Sequence, residues 1–262
     1  MPKPSKPQMM LPSADWEHFG LWQRVSEEVL PSIHRHFRST IQIAGIRATE
    51  IYTFGAVLGS VIESEIVRTL NDLREYWDPE GRYADYAFDR QPQCFPDVLL
   101  LNKQETAQRL ILFGIELKSW YLLAKEGEPS FRFTVTPAAC APADLLVVVP
   151  WALSYVIAGT PVIFQPLVLP ARYVAEYRNY WWQHERKTEE DTHIDAPPKA
   201  QPYPLGREEI ADKPRSDKGR NFGRIARTGI MDDYIRQCND IDLLGIRVSQ
   251  WRDFFKRGIQ AE

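Results

Sequence analysis

The sequence has few cysteines, no long hydrophobic run and no marked excess of charge of one sign. Three cysteines, Cys94, Cys140 and Cys238, are widely spaced among the 262 residues and form no Cys-x-x-Cys pair. This argues against a disulfide framework or a zinc cluster, and we expect reduced thiols in a cytoplasmic protein. No run approaches the roughly 18 apolar residues of a membrane span, so no membrane partner is expected.

Signals of several other protein classes are also missing. Residues 1–7 contain three prolines with no apolar stretch behind them, so we expect a loose arm and not a secretory signal. No Gly-x-x-x-x-Gly-Lys sequence is present, which argues against a nucleotide-driven enzyme such as a helicase. The formal net charge of −3 neither indicates nor excludes a nucleic-acid partner, because local charge distribution matters more than the sum.

Two apolar runs of strand length, residues 95–101 and 111–120, flank a short polar segment and predict a β-hairpin. Charged residues interrupt one end of this hairpin, where Asp97 opens the first strand and Glu116 and Lys118 lie near the end of the second. Because side chains alternate along a strand, Glu116 and Lys118 point to the same face. If the strands pair, the two acids and the lysine converge at one edge of the sheet.

Converging charges in an otherwise apolar sheet are costly unless they bind something. Two neighbouring carboxylates repel each other and favour a divalent cation with oxygen ligands, most naturally Mg²⁺. A lysine beside the metal can stabilise a hydroxide or a phosphate oxygen. The alternative interpretation is a buried ion pair in an ordinary sheet.

The pattern Pro96-Asp97, then eighteen residues, then Glu116-Leu117-Lys118 resembles the PD-(D/E)XK nuclease family, which includes many type II restriction endonucleases. The resemblance implies that Asp97, Glu116 and the carbonyl of Leu117 bind one or two Mg²⁺ ions. It also implies that Lys118 positions or deprotonates the attacking water.

A long helix predicted over residues 50–76 precedes the hairpin, and Gly55 and Gly59 would let another backbone approach it closely. The family commonly places a glutamate on such a helix, where it joins the metal site directly or through water. The resemblance therefore implies a catalytic role for Glu63, one turn from Gly59, with Glu65 as the second candidate. The alternative is that both are surface acids.

The resemblance agrees with an α/β fold built on a restriction-endonuclease-like core, a central mixed β-sheet of four to five strands flanked by helices. Apolar and alternating runs predict further strands over residues 131–136, 144–151 and 161–169, and helices over 171–187 and 231–258. We expect an N-terminal arm and helix over residues 1–48, the catalytic core over 49–187, and a basic segment with C-terminal helices over 188–262. That last part is a mainly helical extension packed on the same domain.

Basic side chains concentrate in residues 199–227, which hold eight basic residues against four acidic ones. Arginine and asparagine can bond guanine and adenine edges bidentately, and arginine and lysine also hold phosphates. The alternative is a solvated basic surface. The DNA-binding candidates are Lys218, Arg220, Asn221, Arg224 and Arg227.

Together these features predict a Mg²⁺-dependent, site-specific double-stranded DNA endonuclease of the type II restriction kind, which the resemblance implies leaves 5′-phosphate ends. A homodimer is expected, because each strand of a palindrome needs its own active site. One alternative is a structure-specific DNA repair or recombination nuclease of the same fold. Another is a non-catalytic nucleic-acid binding protein whose acids are structural.

Overall fold

The fold is organised around a mixed β-sheet. The computed structural model describes residues 4–91, 94–104, 110–204 and 208–260. The strands of the sheet are β1 Tyr86–Arg90, β2 Val98–Asn102, β3 Ile111–Tyr121, β4 Leu145–Leu153, β5 Pro161–Ile163 and β6 Leu167–Pro170. They lie in the order β1-β2-β3-β4, and β5 and β6 both pair with the far edge of β4 at different heights.

The strand directions show why the sheet is mixed. β3 and β4 are parallel, whereas β1–β2, β2–β3, β4–β5 and β4–β6 are antiparallel. β4 is buried along its whole length, as its continuous apolar sequence indicates for a central strand. The predicted α/β class with a mixed central sheet is therefore confirmed. The sheet has six strands, of which β5 and β6 share one position beside β4.

Helices pack against this sheet, and two of them lie in the C-terminal part. They are α1 Phe19–Gln23, α2 Leu30–Ser32, α3 Ile51–Asp72, α4 Arg74–Trp77, α5 Ala171–Tyr180, α6 Asp232–Asn239 and α7 Val248–Gln260. Two short ribbons, β7 Ile194–Asp195 with β8 Lys213–Pro214 and β9 Asp242–Leu243 with β10 Ile246–Arg247, lie outside the sheet. The predicted helices are confirmed, but the prediction of a mainly helical extension over 188–262 is wrong, because the described part of it is helical only at 225–228, 232–239 and 248–260. Among the described residues, no helix has both the length and the apolar character to cross a bilayer.

The prediction of a strand over residues 131–136 is wrong. This stretch is extended, but its backbone bonds reach the C-terminal part of the chain and not the sheet. The Phe133 N–H donates to Gly223 O at 2.8 Å, and the Thr136 N–H donates to Ile210 O at 2.7 Å. The sheet instead gains β1, for which no strand is predicted, and the strand predicted over 161–169 divides into β5 and β6.

One hydrophobic core joins the three predicted parts of the chain. The indole N–H of Trp22, from the N-terminal part, donates to Ala143 O at 2.9 Å beside β4. Val248 and Phe255 of α7 are buried in the same cluster as the sheet residues. The C-terminal part therefore packs on the same domain as the sheet.

A buried ion pair fixes the 131–136 stretch against α5. Arg178 donates to Asp212 at 2.5 Å and to the carbonyls of Phe133 and Val135 at 2.7 and 3.0 Å. Removing one partner leaves an uncompensated buried charge, which costs about 3–5 kcal/mol. We expect Asp212→Ala to lower the free energy of unfolding by that amount in urea titration.

Asp195→Ala is the matched control for this variant. Asp195 pairs with Arg215 at 3.1 Å, but more than half of each side chain is exposed. Exposed pairs are screened by solvent and contribute little. Equal decreases of stability in the two variants would show that the buried pair contributes no more to stability than the exposed one.

Candidate active site

The helix α3 lies unusually close to the strand β3 because two glycines face it. A Cβ added at Gly59 would lie 2.7 Å from Ser119 Oγ, and one added at Gly55 would lie 2.9 Å from Tyr121 Cβ. The predicted close approach at these glycines is therefore confirmed. One helical turn beyond Gly59, the same face of α3 carries Glu63.

A third glycine, on β3, positions the Pro-Asp pair. β2 and β3 form the predicted hairpin, with Val98 opposite Ile115, so Asp97 lies beside Glu116. A Cβ at Gly114 would overlap Pro96 Cγ. The chain before β2 can therefore fold onto β3 only because this position lacks a side chain.

The two acids and the lysine of the motif meet at an edge of β3. Lys118 Nζ is 2.6 Å from Glu116 Oε1 and 4.0 Å from Asp97 Oδ2. The Leu117 N–H donates to Asp97 Oδ2 at 3.0 Å, and the Asp97 N–H donates to Glu116 Oε2 at 3.3 Å. β2 pairs with β3 only as far as Ile115, so this edge faces no strand of the described sheet.

Of the two helix acids, the structure places Glu63 beside this group. Glu63 Oε2 lies 3.6 Å from Arg90 Nη2, at the end of β1, and Arg90 also donates to Ser64 Oγ at 2.6 Å. Glu65 lies on another face of α3, where it accepts bonds from the backbone and hydroxyl of Thr40 at 2.8 and 3.1 Å. Glu65 therefore anchors the segment that precedes α3.

The acids of the site hold protons more tightly than ordinary carboxyl groups. Burial raises the pKa of Glu63 to about 7, with Asp97 adding to the rise and Lys118 and Arg90 opposing it. Burial also raises the pKa of Glu116 to about 7, against the effect of Lys118, and raises that of Asp97. Burial lowers the pKa of Lys118, but Glu116 and Asp97 outweigh it and the net shift is upward.

These groups fit a hard cation in number and type. Asp97, Glu116 and Glu63 outnumber the two cations Lys118 and Arg90, and burial, which raises the pKa of all three carboxyl groups, makes their charged forms costly without a further cation. Oxygen ligands of this kind suit Mg²⁺. Among the described residues no three His, Cys, Asp or Glu side chains form a ready metal-binding group. A metal here would therefore also use a backbone ligand.

The Leu117 carbonyl is the backbone group suited to that task. The N–H and C=O of one strand residue point to the same side of the strand. Because the Leu117 N–H donates to Asp97, the Leu117 carbonyl also points toward the Asp97 side of β3.

A cleft of about 460 Å³ adjoins the site on the α3 side. Glu63 forms part of its wall, and the far side is closed by the loop that follows β3. The cleft is lined by Tyr52, Gly55, Gly59, Ser60, Glu63, Ser119, Trp120, Tyr121, Ala124, Ser130 and Phe131.

Three of the five predicted DNA-binding side chains are engaged in contacts with other side chains of the protein. Arg224 pairs with Glu126 at 3.2 Å, and Arg227 pairs with Glu128 at 3.4 Å. Arg227 also donates to the side-chain oxygen of Asn221. Both glutamates belong to the loop that closes the cleft, so these residues fasten the basic segment to that loop.

Like Arg227, Lys218 and Arg220 are exposed. Arg220 has a left-handed backbone with φ of 49°, and its carbonyl accepts a bond from Arg132. Among the residues the structure describes, no ion pair engages either side chain. Within the described part of the chain, the structure thus divides the set into two exposed cations without an ion pair and three residues that bond to other side chains of the protein.

Sequence reasoning missed two residues of the site. Arg90 pairs with Glu63, and Gly114 leaves the space that Pro96 occupies. The only sequence signal for Gly114 is a lone glycine inside an apolar strand, which is typical of a close backbone approach. The pairing of Arg90 depends on how β1 joins the sheet, and no local pattern indicates it.

Comparison of the chain with protein-family models, with curated proteins and with solved structures finds no match. The chemistry of the site must therefore be interpreted from its own geometry.

Proposed function

We propose that this protein is a Mg²⁺-dependent DNA endonuclease on a restriction-endonuclease-like core. The observation that carries the proposal is the meeting of Asp97, Glu116 and Lys118 at one unpaired sheet edge, with Glu63 beside them. A structural ion pair needs one acid for one base, whereas this site holds three carboxylates, one buried and two half-buried, for the two cations Lys118 and Arg90. A divalent cation and a phosphodiester would together use all of these charges.

Each residue has a distinct part in this proposal. Asp97, Glu116 and the Leu117 carbonyl would hold the metal, which when bound lowers the pKa of water and neutralises phosphate charge. The raised pKa of Lys118 keeps its amine protonated at neutral pH. Of the two roles predicted for Lys118, this favours positioning the water or the phosphate oxygen over removing a proton.

The basic segment supplies a path for DNA toward the cleft. Arg224 and Arg227 tie it to the loop beside the cleft, and this leaves Lys218 and Arg220 facing solvent. Cations at such positions can contact phosphates without disturbing the fold. Cutting both strands of a palindrome would require two copies of the site.

Metal-dependent cleavage of DNA tests the proposal. Purified protein is incubated with phage-sized double-stranded DNA in Mg²⁺ or in EDTA, alongside Asp97→Ala and the control Asp89→Ala, whose carboxylate pairs with Lys103. We expect discrete fragments in Mg²⁺ that disappear with Asp97→Ala and persist with Asp89→Ala.

Other outcomes of the cleavage assay are equally informative. A smear, or cleavage only of forks and flaps, would indicate a structure-specific repair nuclease. No cleavage of any duplex, branched or RNA substrate by the wild type would exclude catalysis and favour a binding protein.

We predict that Lys218→Ala combined with Arg220→Ala weakens DNA binding uniformly across sequences. For each phosphate that is no longer neutralised, the slope of log affinity against log salt concentration should decrease by about one. Fluorescence anisotropy in EDTA at several salt concentrations measures both quantities. Arg236→Ala, which removes an exposed cation paired with Asp233, is the control. An unchanged slope in the double variant would remove these residues from the interface.

A further inference from the structure

We propose that the outer face of α7 is a self-association surface that binds a second copy of this chain. The inner face of the helix is buried through Val248, Arg252 and Phe255. The outer face forms a shallow groove of about 510 Å³ lined by Gln250, Asp253, Phe254, Arg257 and Gly258. The proposal depends on this surface alone and not on the proposed nuclease activity.

Exposed apolar side chains mark this face. Phe254 is 63% exposed and Leu244, in the turn between β9 and β10, is 62% exposed. Trp251 lies between them: its N–H donates to Leu243 O at 2.9 Å, and its ring is 6.0 Å from that of Phe254. Large apolar side chains that lie together at a surface are typical of an interaction site.

The charges on the same face identify the partner as a second copy. Asp253 and Arg257 lie one helical turn apart and flank Phe254, yet among the described residues no ion pair engages either of them. If two α7 helices pack antiparallel about a two-fold axis near Phe254, each Asp253 meets Arg257 of the second copy. The same arrangement brings the two Phe254 rings together, and Gly258 adds no side chain to obstruct it. The face is therefore complementary to itself.

Hydrogen bonds from Arg252 hold the inner face of α7 against the rest of the protein. Arg252 donates to Gly127 O at 3.2 Å and to Asn239 Oδ1 at 2.5 Å. These bonds tie α7 to the loop beside the cleft and to α6. A helix held in this way presents its outer face without needing to rearrange.

The expected dimer is weak. A helix of 13 residues is about 20 Å long, so the surface is smaller than the roughly 800 Å² per partner of a standard interface. We therefore expect a monomer–dimer equilibrium between about 1 and 100 µM. Sedimentation velocity without Mg²⁺ or DNA measures it independently of any cleavage.

Phe254→Asp should leave the protein monomeric throughout this range, because it places two like charges at the centre of the contact. Tyr76→Asp is the matched control, since Tyr76 is a similarly exposed aromatic residue on α4 and should leave the equilibrium unchanged. Thermal melting of both variants checks that they fold.

Charge reversal distinguishes this surface from any other dimer contact. Asp253→Arg and Arg257→Asp should each weaken association at least about tenfold, because each creates two like-charge contacts. The double variant restores both pairs and should return to within about threefold of the wild type. A wild type that stays monomeric, single variants that associate normally, or a double variant no better than the single ones would overturn the proposal.

Discussion

Replacing Glu116 by glutamine is expected to abolish Mg²⁺-dependent cleavage and, at pH 8, to stabilise the metal-free protein. Glu116 is buried beside Asp97, and its pKa of about 7 means that the folded protein favours the neutral carboxyl group. Glutamine has nearly the same shape and no charge. It therefore removes the cost of burying a charge and the repulsion from Asp97, and it also removes a proposed metal ligand.

The sign of the pH dependence follows from the direction of the pKa shift. The pKa of Glu116 is higher in the folded protein than its ordinary value of 4.5, so the folded state binds more protons between these values. The stability of the wild type therefore falls as the pH rises from about 5 to about 7. The advantage of Glu116→Gln should be absent near pH 5 and reach about 1–3 kcal/mol at pH 8.

Urea unfolding in EDTA at pH 5 and pH 8 measures this advantage. Adding Mg²⁺ at pH 8 should then stabilise the wild type and not Glu116→Gln, because the variant lacks the ligand. Glu65→Gln, on the other face of α3, should retain cleavage. A Glu116→Gln protein that is less stable than the wild type at pH 8 would show that the pair with Lys118 outweighs the burial of the Glu116 charge and its repulsion from Asp97.

Local sequence patterns predict the part of the site that rests on local geometry. Alternation along β3 places Glu116 and Lys118 on one face, and the hairpin brings Asp97 to them. Glu63 follows Gly59 by four residues and shares its face of α3, whereas Glu65 is two residues further on and points elsewhere. These relations span a few residues, so the sequence contains them directly.

The parts that sequence could not predict depend on contacts between distant segments. Residues 131–136 alternate like a strand because Phe133 and Val135 are buried, but their partners lie at 210–223. Arg224 looked free to bind DNA, yet it pairs with Glu126, far away in the sequence. An alternating or charged sequence indicates that a residue has a buried or a polar environment. It does not indicate which distant residue provides that environment.

Gly114→Ala is expected to impair both folding and the proposed cleavage, although Gly114 contributes no side chain to the site. The added Cβ would overlap Pro96 Cγ and lie 3.1 Å from Asp144 Oδ1. Neither neighbour can yield easily, because Pro96 is a rigid ring and Asp144 is buried. Asp144 accepts bonds from the backbone of Gly114 and Ala141, both at 2.7 Å, and from the Tyr203 hydroxyl. The strain must therefore move the Pro-Asp pair.

We expect this overpacking to cost about 1–3 kcal/mol of stability. Displacing Asp97 by even about 1 Å should lower the cleavage rate roughly 100-fold, because productive geometry at a reacting centre is narrow. Gly59→Ala should have a milder effect, since its added Cβ meets only the hydroxyl end of Ser119. Urea unfolding and single-turnover cleavage of the two variants test this order. Full cleavage by a stably folded Gly114→Ala protein would mean that the position of the Pro-Asp pair does not depend on β3. It would also argue against a role for Asp97 in cleavage.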